Sequence, residues 1–188
     1  MVPVRAVMLD VDEGMLAARR LRGMDRRDEM WEGVLHMVPP PFERHQAIEA
    51  ELVVALRAVA RAHRLKVRSE VGVFAAADDY RVPDVVVYSA AVATERGVDG
   101  APQLVVEVRS PGDETSEKVP WYLDRGARAV LVIDRDTLAL ELHTGEGRVP
   151  PEADGYVAVE ALGVRIGPAA GAATLVVQTT DGAVELDL

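Results

Sequence analysis

The stretch "LVVEVRSPGDETSEK", residues 104–118, decides how this chain is read. Leu104, Val105 and Val106 make an apolar run fit for a buried strand. Side chains alternate along a strand, so Val106 and Val108 face one side while Val105, Glu107 and Arg109 face the other. A carboxylate at Glu107 is expensive to bury alone. Arg109, another arginine, or a bound cation would each balance it. A Ser-Pro turn and an acidic run come next, and a helix is expected from Thr115 or Ser116, either of which caps well. Pro120 then falls in or just after the first turn, where its missing N–H matters least, and Gly126 suits the helix end. Lys118 lies early in that helix, where the macrodipole favours anions, so it is set against the local field.

Working outward, "VPDVVVY" (82–88) is a second buried strand opened by Pro83-Asp84. An aspartate at such a mouth costs desolvation unless it is paired or bound to a cation. "KVRSEVGVF" (66–74) is a strand before it. Ile48, Leu52, Ala55, Leu56 and Val59 recur at helical spacing, which predicts an amphipathic helix over 43–63. "EMWEGVLHMVPPP" reads as two short strands about the Glu32-Gly33 turn, stopped by three prolines. Residues 12–22 suit a short surface helix. Downstream, "RAVLVID" (128–134) is a buried strand and "LALELHT" (138–144) an alternating, exposed edge strand. The order is helix, strand, strand, strand, helix, strand. Apolar runs at 85–87, 104–106 and 130–133 call for a sheet covered on both faces. Beyond Arg148 the chain turns Pro- and Gly-rich and ends in a hairpin about Asp181-Gly182.

The 188 residues fit a single domain, and 49% hydrophobic with 28% charged is ordinary for a globular protein. With no cysteine, disulfides, zinc-thiolate sites and thiol catalysis are excluded. No apolar run approaches the roughly 20 residues of a membrane span, and no secretory pattern opens the chain, so a cytoplasmic protein is expected. A net charge of −10 argues against a passive nucleic-acid coat. It leaves room for an enzyme that holds nucleic acid briefly or through a divalent cation. Of 21 basic residues only Lys66 and Lys118 are lysines. A lysine kept in an arginine-biased chain points to a need for a compact ammonium.

If the two buried strands are neighbours, Asp84 and Glu107 share one divalent ion, with the Val108 carbonyl as a further ligand. Such hard oxygen donors suit Mg2+ or Mn2+. Lys118 would then lean over the site and hold or activate a water. Glu70, His45 and Arg109 are secondary candidates, the last for phosphate contact or for pairing with Glu107.

Taken together, "PDVVVY", "QLVVEVRSP" and "EKVPWYLDRGARAVLVID", with "WEGVLHMVPPPFERHQAIEAEL" upstream, resemble the Uma-two family of restriction-endonuclease-like proteins, within the PD-(D/E)xK nuclease superfamily. The resemblance spans about residues 28–144. It implies an α/β fold with a restriction-endonuclease-like αβββαβ core, a mixed central sheet flanked by helices, and β-rich additions at both ends, the C-terminal one about 148–188. It implies Asp84 and Glu107 as metal ligands. Arg109 stands where the superfamily has its lysine; Lys118 matches the family's displaced position, Tyr122 its following tyrosine, and His45 its helix-opening histidine. The function implied is a Mg2+- or Mn2+-dependent endonuclease acting transiently on DNA, double-stranded by expectation, with a homodimer suited to cutting both strands. The competing expectation is a catalytically inactive descendant serving as a binding or regulatory module.

Overall fold

The computed structural model describes residues 12–171 and 173–188. Residues 1–11, where a secretory pattern would sit, lie outside the described residues. In chain order the elements are α1 (Glu13–Leu21), β1 (Glu29–Trp31), β2 (Val34–His36), α2 (Glu43–Ala62), β3 (Leu65–Ser69), β4 (Val73–Ala76), β5 (Asp79–Arg81), β6 (Val85–Ser89), β7 (Leu104–Arg109) and α3 (Thr115–Asp124). There follow β8 (Val130–Asp134), β9 (Leu140–Thr144), β10 (Gly147–Val149), β11 (Val157–Val159), β12 (Val164–Pro168), β13 (Leu175–Thr179) and β14 (Gly182–Glu185).

The central sheet runs β10-β9-β8-β7-β6-β3. Only β7 and β8 are parallel in it; the other neighbours are antiparallel. A parallel pair cannot be joined by a tight turn, and α3 supplies the crossover. Alternation along the strands sorts the core into two layers. Val85, Val87, Leu104, Val106, Val108, Leu131 and Ile133 face α2 and meet Ile48, Leu52 and Leu56. Val86, Tyr88, Val105, Val130 and Val132 face α3 and meet Val119 and Tyr122. Both faces are covered, as continuous apolar strands require. The expected αβββαβ order is present as α2, β3, β6, β7, α3, β8.

Three expectations change. "KVRSEVGVF" is not one strand: Glu70 takes a left-handed backbone (φ 50°), β3 ends at Ser69, and β4 joins a different sheet, β2-β1-β5-β4. The β4–β5 hairpin is thus inserted between two core strands. Its only break signal was Gly72, masked by β-prone residues on either side. Second, "LALELHT" is not an edge, because β10 pairs along β9. Third, α3 begins at Thr115 as expected, but its cap position is held by Glu114 and not by Thr115 or Ser116, and the Thr115 amide is taken by Asp113 Oδ1 at 3.1 Å. Its end is as expected. Gly126, at φ 84°, lets its own amide reach Leu123 O at 2.8 Å and that of Ala127 reach Tyr122 O at 3.0 Å.

The C-terminal residues form an antiparallel sheet, β11-β12-β13-β14, with the foreseen Asp181-Gly182 hairpin closing it. Val157, Val159, Ile166, Leu175, Val177 and Leu186 are buried in the same cluster as the apolar face of α2. The helix therefore lies between two sheets, and the extension completes its burial. Among the described residues, no helix is long and apolar enough to cross a membrane.

Candidate functional site

The site lies at the mouth where β6 begins and β7 ends. Val85 pairs with Val106, so Asp84 falls opposite Glu107 one step beyond. Pro83 has no amide to continue the ladder. The Asp84 side chain takes over, with Oδ2 accepting from the Val108 amide at 2.6 Å. Asp84 Oδ1 is 2.8 Å from His45 Nε2 and accepts from Arg27 Nη2 at 2.9 Å. Burial pushes this carboxyl upward, but the His45 contact and charge, Lys118 and the Val108 N–H outweigh it and hold it below the usual aspartate value.

His45 is in the first turn of α2, and Glu49 lies one turn further on the same face. Glu49 is buried, bonded by Gln46 Nε2 at 2.8 Å. Burial first, then the charges of Asp84 and Glu70, raises its pKa to about 7. One ligating atom each from His45, Glu49 and Asp84 lies within 4.8 Å of the others. Arg27 reaches into this group. Its Nη2 is 3.6 Å from Glu49 and its Nε is 3.1 Å from Glu70 Oε1. A guanidinium thus neutralises the spot on which three acids converge.

Glu107 forms the second half of the site. It is 3% exposed, on the α3 side of the sheet. Lys118 Nζ donates to its two oxygens at 3.1 and 3.3 Å, and Tyr122 Oη donates at 2.7 Å. Lys118 also meets Glu29 Oε1 at 2.8 Å. Glu29 is itself fixed by the Trp31 indole at 2.7 Å and the Val82 amide at 2.8 Å. Burial would lower the ammonium's pKa, but Glu107, Glu29 and Asp84 outweigh it and push it above the ordinary lysine value. Lys118 is therefore a fixed positive charge. Three buried carboxylates crowd that one cation, and burial with the charges of Asp84 and Glu29 lifts Glu107 to about 8. Tyr122 titrates well above the ordinary tyrosine, through burial and then the charge of Glu107.

The opening puzzle has a structural answer here: the carboxylate in the core strand is balanced by the lysine beyond its end. Asp84 and Glu70 are gathered around Arg27, with His45 on Asp84, while Glu107 is held by the Lys118 ammonium and by Tyr122. Val108 joins the two halves through its amide. Arg109 stands apart, bonded to Glu141 Oε1 at 3.0 Å, with no bond to Glu107 among the described residues. Glu49, Glu29 and Arg27 escaped sequence reasoning. Glu49 left a legible signal, four residues after His45 on a helix; Glu29 and Arg27 left none, because short strands and turns carry no period.

Two carboxylates and an imidazole form a donor set that suits a divalent ion, with the oxygens favouring Mg2+ or Mn2+ and the nitrogen tilting the pair towards Mn2+. The convergence of acids on one guanidinium shows that the position accepts positive charge.

A mixed sheet with this core order, carrying acids at adjacent strand ends, defines a nuclease fold of the restriction-endonuclease type. The chain matches the Uma2 family, described as "putative restriction endonuclease", over residues 16–167, and it belongs to that family. Its structure is similar to the crystal structure of "a putative nuclease belonging to DUF820" from Anabaena variabilis, at 23% identity and a TM-score of 0.62, covering 72% of this chain and 82% of that one. No curated protein matches it.

Proposed function

We propose that this chain is a one-domain, Mg2+- or Mn2+-dependent endonuclease that hydrolyses phosphodiester bonds in DNA, a duplex held transiently. The observation that carries this is the convergence of His45, Glu49 and Asp84 beside the Glu107–Lys118 pair. Asp84, His45 and Glu49 would hold the ion, with Glu107 and the Val108 carbonyl at the adjoining strand end. A bound divalent ion supplies a water of lowered pKa and positive charge against the phosphate oxygens. The chain's own residues do the rest. The α2 turn and the β6 mouth fix the donors on rigid elements. Lys118, permanently charged, orients a water or a phosphate oxygen and cannot act as a base. Glu29 and Tyr122 keep its geometry.

Arg27 competes for the same acids. Calorimetric titration with Mn2+ is expected to show one site in the wild type, tightened at least about tenfold in Arg27→Gln, about 1.4 kcal/mol. Absence of binding in both proteins would remove the metal site.

The second reading is a non-catalytic binding or regulatory module, favoured by the guanidinium already seated among the acids. It predicts no Mn2+ binding and no divalent-dependent cleavage.

Cutting both strands of a duplex calls for two sites, so we extend the proposal to a two-copy assembly. With β9 covered, a strand-to-strand contact would fall on an open edge such as β14. Sedimentation at micromolar concentration should give twice the chain mass; a monomer at that concentration rejects the assembly.

A further inference from the structure

Beside Glu70 lies a cavity of about 430 Å³. That volume is within the range of small-ligand sites, about 300–1,000 Å³. Glu70 connects it to the candidate site, since the same carboxylate that lines the cavity bonds Arg27, which bonds Asp84.

The lining has two kinds of group. Phe74 and Tyr80 are half-buried, their rings 4.9 Å apart, and the Arg96 guanidinium lies 4.6 Å from the Phe74 ring centre. Arg26 and Arg68 complete the rim with Arg96; all three are exposed, and none forms an ion pair among the described residues. Of the acids nearby, Asp28 is bound to Arg19 and Glu70 to Arg27. Asp25 and Glu95 also line it, so acids and guanidiniums alternate around the rim, and the three arginines, free of carboxylate partners among the described residues, are what it offers an anion.

Aromatic rings and guanidinium planes are the surfaces on which nucleic-acid bases stack, and unpaired arginines are the groups that hold their phosphates. A duplex cannot enter a cavity of this size. One nucleotide can, once it leaves the stack. We propose that this cavity binds a single unpaired nucleotide of the substrate strand, next to the phosphate to be cut, its base against the Arg96–Phe74–Tyr80 shelf and its phosphate on Arg26 and Arg68. The proposal deepens the nuclease reading and rests on it for the strand's identity. It makes frayed, mismatched or single-stranded DNA the preferred substrate, because extruding a nucleotide costs least there.

The test uses deoxyadenosine monophosphate as probe, titrated calorimetrically into the full chain in EDTA, so that neither metal nor cleavage enters. Binding is expected, with at least about tenfold loss in Arg68→Glu and in Arg96→Glu, both exposed positions that leave the core untouched. Deoxyadenosine and inorganic phosphate, titrated separately, should each bind more weakly. No heat at millimolar nucleotide, or equal affinity in both variants, overturns the site. Cleavage assays on matched and mismatched duplexes then separate the two readings. Nucleotide binding without any cleavage leaves the cavity standing and removes the nuclease. Metal-dependent cleavage indifferent to mismatches and to both substitutions does the reverse.

Discussion

Glu107→Gln is expected to lower metal-dependent DNA cleavage by at least about 10²-fold while leaving the metal-free protein folded at neutral pH. The second half of that expectation follows from the carboxyl's surroundings. Burial, with Asp84 and Glu29, raises Glu107 to about 8, so loss of its charge costs the metal-free protein less at neutral pH than for an ordinary carboxylate. Glutamine keeps the shape and one oxygen, on which Tyr122 and Lys118 both converge, and gives up only the 3.1 Å Lys118 contact to the other. What it cannot do is release a proton and present a full negative charge when a divalent ion arrives. Asp84→Asn should be as damaging to cleavage but less clean structurally. An amide there sets its NH2 against Arg27, His45 or the Val108 N–H, leaving a donor facing a donor. Cleavage of plasmid DNA in Mg2+ and in EDTA, with far-ultraviolet circular dichroism on each variant, checks both statements. Activity that persists in EDTA, or that survives Glu107→Gln, leaves the nuclease reading without its site and favours the binding module.

Much of this arrangement is legible in the chain because it depends on period and polarity. The strands at 85–87, 104–106 and 130–133 are apolar on both faces, which only a covered sheet explains, and α2 announces itself through Ile48, Leu52 and Leu56. Asp84 and Glu107 stand out for the same reason: a charge inside an apolar run has to be answered by something. The answer itself is long-range. Nothing near Glu107 says that Glu29, seventy-eight residues earlier, reaches the same ammonium. Nothing near Asp84 says that Arg27 fills its vicinity. The hairpin between β3 and β6 was hidden because a left-handed Glu70 breaks a run that otherwise favours strand throughout. The C-terminal sheet was legible as strands but not as a lid, since only the tertiary structure shows that α2 has a second apolar side to cover.

Lys118→Met is expected to destabilise the metal-free protein by about 3–5 kcal/mol at pH 8 and by much less at pH 5. Methionine keeps the volume, so the loss is electrostatic. Nζ is the cation shared by Glu107 at 3.1 Å and Glu29 at 2.8 Å, and those residues are 3% and 1% exposed. Without it, two buried carboxyls are left with no cation between them. The sign follows from proton binding. A carboxyl whose folded pKa is raised above its unfolded value holds a proton in the native state that the unfolded chain has released. Its stability contribution is intact below the unfolded value near 4.5 and is lost as pH rises through the folded one. The wild type should already weaken between about pH 5 and 8 through Glu49, raised to about 7, and Glu107, raised to about 8. The variant should weaken more steeply over the same window. Urea unfolding at both pH values measures the difference. Glu29→Gln combined with Lys118→Met should recover most of the lost stability without restoring cleavage, because it removes one uncompensated charge but supplies no ammonium. If Lys118→Met unfolds at the same urea concentration as the wild type at pH 8, the ammonium is not what balances the carboxylates. Its retention in so arginine-rich a chain then needs another cause than the burial of Glu107.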